Sequence, residues 1–144
     1  MNFFDALRTC SSALSAQRVR MNIISSNLAN INTTRTPQGG PYRRQDVVFA
    51  AHPNSSFQNT LNSQMTRNLS GVRVAGIVSD PSPLQLKYDP QHPDANEDGY
   101  VAMPNINLME EMVNMISATR SYEASLAAIN ATKGMALKAL EIGR

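Results

Sequence analysis

Few residues in this chain have the types and spacing for chemistry. The run DANEDG at positions 94–99 places Asp94, Asn96 and Asp98 at alternate positions before Gly99, matching the first half of a calcium-binding EF-hand loop. The second half does not follow. Asn105 stands where a bidentate Glu is needed, and Pro90 and Pro93 prevent an entering helix, so an acidic turn is the expected structure. His52 and His92 are the only histidines, each followed by Pro in a polar segment. Neither has the partner spacing of a zinc site or a catalytic triad. Gly39 and Gly40 lie close to prolines on both sides and open no helix, so they form no phosphate loop. The single cysteine, Cys10, has no partner for an internal disulfide and falls in an apolar helical register, where it reads as a small buried hydrophobe. These observations point away from an enzyme, and no metal or cofactor is expected.

Composition narrows the class further. The chain has 144 residues, one ordinary domain's worth, with 42% hydrophobic residues, 6% aromatic residues and no Trp. A net charge of +2, with Arg18/Arg20 and Arg43/Arg44 as the only tight basic pairs, is a weak signal for nucleic acid, and no nucleic-acid partner is expected. The start MNFFDALRTC lacks the basic and apolar regions of a cleavable secretory signal. No stretch approaches the ~20 apolar residues of a membrane span. The expectation is a protein that stays in the cytoplasm or leaves by a route reading no cleaved signal.

The strongest regularity lies at the two ends. Steps of four and three from Phe3 give Leu7, Cys10, Leu14, Gln17, Met21, Ile24, Leu28 and Ile31, a seam broken only by Gln17. From Leu108 the same steps give Met112, Met115, Thr119, Tyr122, Leu126, Ile129, Lys133, Ala136 and Leu140. Met109, Val113 and Ile116 lie beside this second seam, so its apolar face is wider than one partner helix needs. Its methionines suit adaptable packing. Asn107 is the expected N-cap, with Glu110 three residues on, and Glu110 and Glu111 favour the positive helix end. The polar breaks Gln17, Thr119 and Lys133 are candidates for setting register.

All eight prolines and five of the seven glycines lie in the middle of the chain. There, 43–51, 71–79 and 83–88 read as short strands, GYVAMP as strand-like, and 52–70 as a polar loop or irregular excursion. The fold class is therefore mostly α with a small β insert (α+β), its terminal helices paired in coiled-coil fashion. The expected division is a helical assembly domain of residues 1–32 and 105–144, a connector at 33–42, and an outer insert at 43–104. Packing residues are Leu7, Leu14, Met21, Ile24, Leu28, Met112, Met115, Tyr122, Leu126 and Ile129.

With that layout in place, SSNLANINTTRTPQGGPYRRQDVVF (25–49) resembles the N-terminal signature of bacterial flagellar rod and hook proteins. The matching positions are Asn27, Ala29, Asn30, Thr33, Gly40, Tyr42 and Arg43. The spacer is longer than usual and Pro41 interrupts the Gly–Tyr pair. DPQHPDANEDGYVAMPNIN (89–107) and MVNMISATRSYEASLAAINATKGM (112–135) extend the resemblance to both ends of the chain. It implies a non-enzymatic basal-body subunit of the periplasm-spanning proximal rod, part of the drive shaft of motility. It also implies type III export without a cleaved signal, and helical assembly through the terminal helices. The implied partners are copies of itself, the rod proteins FliE, FlgB, FlgF and FlgG, and the export apparatus. The alternatives are a FlgB-like axial protein of the same family, or a helical-hairpin protein-binding module, which would form discrete dimers.

Overall fold

The computed structural model describes residues 3–52 and 71–143. Two long helices, α1 (Phe3–Ala29) and α2 (Leu108–Ile142), enclose in sequence the strands β1 (Gln45–His52), β2 (Gly71–Ser79), β3 (Gln85–Tyr88) and β4 (Tyr100–Met103). The polar stretch expected to be a loop falls, from residue 53 to 70, outside the described residues.

Helix α1 contains neither Gly nor Pro, and it stops two residues before its apolar seam does. The side chain of Asn30 turns back to donate to the Ser26 carbonyl at 2.8 Å, and Thr33 Oγ1 donates to Asn30 Oδ1 at 3.1 Å. Short polar side chains here replace helix bonding with local bonding, which ends the helix. At the other terminus, Asn107 Oδ1 accepts from the Met109 backbone N–H at 3.0 Å, capping α2 as its sequence suggests. The helix then runs straight through Gly134.

The helices lie side by side and antiparallel. Asn27 reaches Glu111, Arg20 Nη2 reaches Asn114 Oδ1 at 3.5 Å, and Thr119 Oγ1 lies 3.8 Å from Met21 Sδ. Ala16 on α1 and Ala118 on α2 are both buried. The stripe of α2 turned toward α1 combines half-buried Met115, Tyr122, Ile129 and Ala136 with Glu111, Ala118, Ser125 and Thr132. The second set sits one residue before Met112, Thr119, Leu126 and Lys133, the positions picked by stepping four and three from Leu108. Small side chains let the helices approach, so sterics decide the contact face where that stepping points one residue away.

Among the described residues, two antiparallel ribbons lie between the helices in sequence. In the first, Gln45 pairs with Ser79 and His52 with Gly71, with a bulge between Val48 and Phe49. This ribbon lies along α1: β1 begins beside Asn27, and Val72 N donates to Ser12 Oγ at 3.1 Å. The lengths agree, since fifteen residues of helix and seven of strand each span roughly 23 Å. In the second, Gln85 pairs with Met103 and Tyr88 with Tyr100. Arg43 and Arg44 precede the first ribbon instead of belonging to it, because the Arg44 backbone N–H is taken by a side chain, Asn105 Oδ1, at 2.9 Å. Buried Val101, Pro104 and Ile106 make a small second core beside β4.

Candidate functional site, a buried polar joint at the helix ends

Where α1 ends, the connector, β1 and the start of α2 converge on one side chain. Asn27 is fully buried. Its Nδ2 donates to the Gln45 carbonyl at 2.8 Å and to Glu111 Oε2 at 3.1 Å. Its Oδ1 accepts from the Gln45 N–H at 3.0 Å and from the Tyr42 hydroxyl at 3.1 Å. A carboxamide has two N–H donors and two acceptor lone pairs, and here all four are used. Only Asn has this combination at this length, so the residue is fixed by its surroundings.

Glu111 is also buried, at 1% exposure, and its second oxygen accepts from Arg44 Nε at 2.8 Å. Burial alone would weaken the Arg44 guanidinium as a base. The hydrogen bond and charge of Glu111 outweigh that, with help from Asp46, and hold it above its ordinary value. Arg44 Nη1 then reaches Asp46 at 3.3 Å and Asp80 at 3.8 Å. Asp80 is held below its ordinary value, first by hydrogen bonds from the Ser82 side chain and backbone, then by Arg44 and Arg43. Asn105, whose side chain accepts from the Arg44 N–H, directs its Nδ2 toward the Asp80 and Ser82 carbonyls, each at 3.4 Å. The network ties five separate pieces of chain together.

The connector motif feeds this joint. Tyr42 N donates to the Thr33 carbonyl at 3.1 Å, and Thr36 N to the Gly40 carbonyl at 2.8 Å. Gly39 and Gly40 take φ values of 90° and 76°, which suit glycine, so the long spacer folds into a compact turn before returning to Asn27. Ala29 and Arg43 are exposed. Of the expected packing residues, Ile24 is buried; Leu7, Leu14, Met21, Leu28, Met115, Tyr122 and Ile129 are half-buried; Met112 and Leu126 are exposed. Among the register candidates, Thr119 Oγ1 donates to the Met115 carbonyl at 2.9 Å, Lys133 is exposed, and Gln17 Oε1 is buried without a partner. The sequence offered Arg44 only as half of a basic pair, Asn105 only as the residue that breaks a calcium loop and Glu111 only as a helix-end charge, and it gave no sign of Asp80. An acid one turn before Met115 on the inward stripe, with an Arg pair opening a strand, was the available signal.

The calcium-like run builds the turn joining β3 to β4. Asn96 Oδ1 accepts from Tyr100 N at 2.7 Å, Asp94 Oδ2 accepts from Thr34 at 2.8 Å, and Gly99 has φ 79°. Among the described residues, no group of three His, Cys, Asp or Glu could hold a metal ion. His92 Nδ1 accepts from Asp94 N at 3.1 Å within the same turn, and Cys10 is half-buried on α1. Nothing in the joint offers a nucleophile beside a base. Its chemistry is that of a clamp.

Known proteins share both ends of this framework. Residues 7–35 match the family described as "Flagella basal body rod protein", and residues 97–142 match "Flagellar basal body rod FlgEFG protein C-terminal". The chain is 50% identical to the flagellar basal-body rod protein FlgC of Bacillus subtilis, with all of both chains covered. It is 48% identical to that of Borreliella burgdorferi over 99% of this chain and 98% of the relative. For Salmonella typhimurium the identity is 40% over 100% and 98%. The chain belongs to the FlgC family of flagellar basal-body rod proteins. It is a structural rod subunit of the basal body, associated there with other basal-body components. Among the described residues, no helix is long and apolar enough to cross a membrane.

Proposed function

We propose that this chain is a non-catalytic building block of the proximal rod that assembles helically through α1 and α2. The observation that carries the reading is the outer face of α2. Met109, Met112, Val113 and Ile116 are 69%, 48%, 65% and 54% exposed. At 100° per residue they lie roughly 140° around the helix from the stripe facing α1. A helix apolar on two such faces is suited to a second neighbour, and a rod supplies one. The polar joint holds the β ribbons in a fixed attitude to the helices, so that each copy enters the array in one shape. In this reading residues 1–32 and 105–144 form the assembly unit, 33–42 the connector and 43–104 the insert. Copies of the chain and the rod proteins FliE, FlgB, FlgF and FlgG are its neighbours, and it leaves through the flagellar type III apparatus without losing a signal segment.

Purified basal bodies from a strain carrying an epitope-tagged copy test this directly. The tagged chain is expected in the rod fraction with an uncleaved N-terminus, and a strain lacking it is expected to be non-motile and without rods. Normal rods in that strain would overturn the proposal.

A further inference from the structure

Three methionines near the start of α2 share one helix and differ in their surroundings. Met109 and Met112 are 69% and 48% exposed, and Met109 lines an open groove of about 330 Å³ with Glu110, Val113 and Asn114. Met115, one turn further on, is half-buried on the stripe turned toward α1. Across the helix pair, Met21 is half-buried too, its sulfur 3.8 Å from the Thr119 hydroxyl. Among the other described residues, Met103 is half-buried and Met135, far along α2, is 66% exposed.

We infer that Met109 and Met112 form a sulfoxidation site, oxidised by hydroperoxides in the free subunit and shielded once the subunit is assembled. The inference rests on the rod-subunit reading and adds a chemical sensitivity to the face which that reading gives to a neighbour.

The chemistry is complete with hydrogen peroxide as the oxidant. A sulfur lone pair attacks one peroxide oxygen, so the S–O bond forms as the O–O bond breaks. Sulfur loses two electrons and the peroxide gains them. The proton on the transferred oxygen passes through solvent to the departing hydroxide, leaving one sulfoxide and one water. No base or cofactor is needed, so access to the sulfur decides which methionine reacts first. The product is polar where the thioether was apolar and pliable. Neither side chain belongs to the Asn27 network or to the stripe facing α1, so the oxidised subunit keeps its fold. What it loses is a face that can be buried against apolar surface without leaving a polar oxygen unpaired.

The test begins with the purified full chain in dilute hydrogen peroxide, with sulfoxide at each methionine followed by peptide mass spectrometry. Met109 and Met112 are expected to oxidise about as fast as Met135 and at least ~5-fold faster than Met115 and Met21. In purified basal bodies that contain the chain, Met109 and Met112 should react at least ~5-fold more slowly than in the free chain. Equal rates at Met112 and Met115 in the free chain would overturn the inference, as would no slowing in basal bodies. Met109→Gln with Met112→Gln puts a polar group of similar length at both positions. That pair is expected to keep the parent's helicity and to lower the tagged chain in rods at least ~5-fold. A loss of helicity, or incorporation at the parent level, would overturn the inference. Met109→Leu with Met112→Leu is expected to enter rods as the parent does, and to keep doing so in peroxide-treated cells when the parent's incorporation falls. Equal losses for that pair and the parent would also overturn it. Absence of the unmodified tagged chain from basal bodies of untreated cells would instead defeat the rod-subunit reading, with the order of oxidation in the free chain left standing.

Discussion

Asn27 joins α1 to everything the chain does next, and its position shows how a single polar group can fix a fold. Every hydrogen-bonding atom of its amide is matched, so replacement leaves several buried groups unpaired at once. Asn27→Leu is expected to lower unfolding free energy by about 2–4 kcal/mol in urea titration. Asn27→Asp should cost at least as much, because it sets a second carboxylate against Glu111. A change under ~1 kcal/mol would show that the network contributes little. Asp80 adds a pH dependence of known sign. Its folded value lies below the ordinary 3.8, so its stabilisation is complete above that value and is lost as pH falls through the folded one. Urea midpoints compared at pH 6 and in acid should fall less for Asp80→Asn than for the parent chain.

At the scale of elements, the sequence made the terminal helices, the ribbons' strands and the acidic turn legible, because each has a period or a punctuation. The contact face of α2 was only half legible. Met115, Tyr122, Ile129 and Ala136 carry the apolar signal, but Glu111, Ala118, Ser125 and Thr132 are chosen by close approach and burial of a charge pair, which hydropathy does not register. The joint was legible through Asn27 and Tyr42 and illegible through Asn105 and Asp80, whose partners lie far away in sequence. Two predictions belong here. At Gly99 an added Cβ would meet Tyr88 Cε2 at 3.0 Å and Pro90 Cγ at 3.2 Å, on a backbone with φ 79°. Gly99→Ala should therefore destabilise the β3–β4 ribbon by about 1–3 kcal/mol, seen as faster amide exchange at Tyr100 and Val101 with α1 and α2 unchanged. Gln17 carries a buried oxygen without a donor between apolar seam positions. Gln17→Leu is expected to raise the melting temperature of the isolated protein, by about 1 kcal/mol of stability. A fall would mean that Gln17 already has a use in the single chain.

For the whole molecule, two features divide the work. The buried joint ties the helix ends to the connector and the first ribbon, and the apolar helix faces left outside it are, in the proposed function, the surfaces that meet neighbours. Membership of a rod-protein family gives those faces a setting. Val113→Asp separates the roles, since position 113 is 65% exposed and lies away from α1. Circular dichroism should show helicity unchanged, while incorporation into basal bodies is lost. The most direct measurement is cryo-electron microscopy of purified basal bodies at a resolution that separates side chains. The account predicts this chain in the rod, with each α2 held between its own α1 and a neighbouring subunit that covers Met109, Val113 and Ile116. A rod in which that face of α2 is turned to solvent would contradict it.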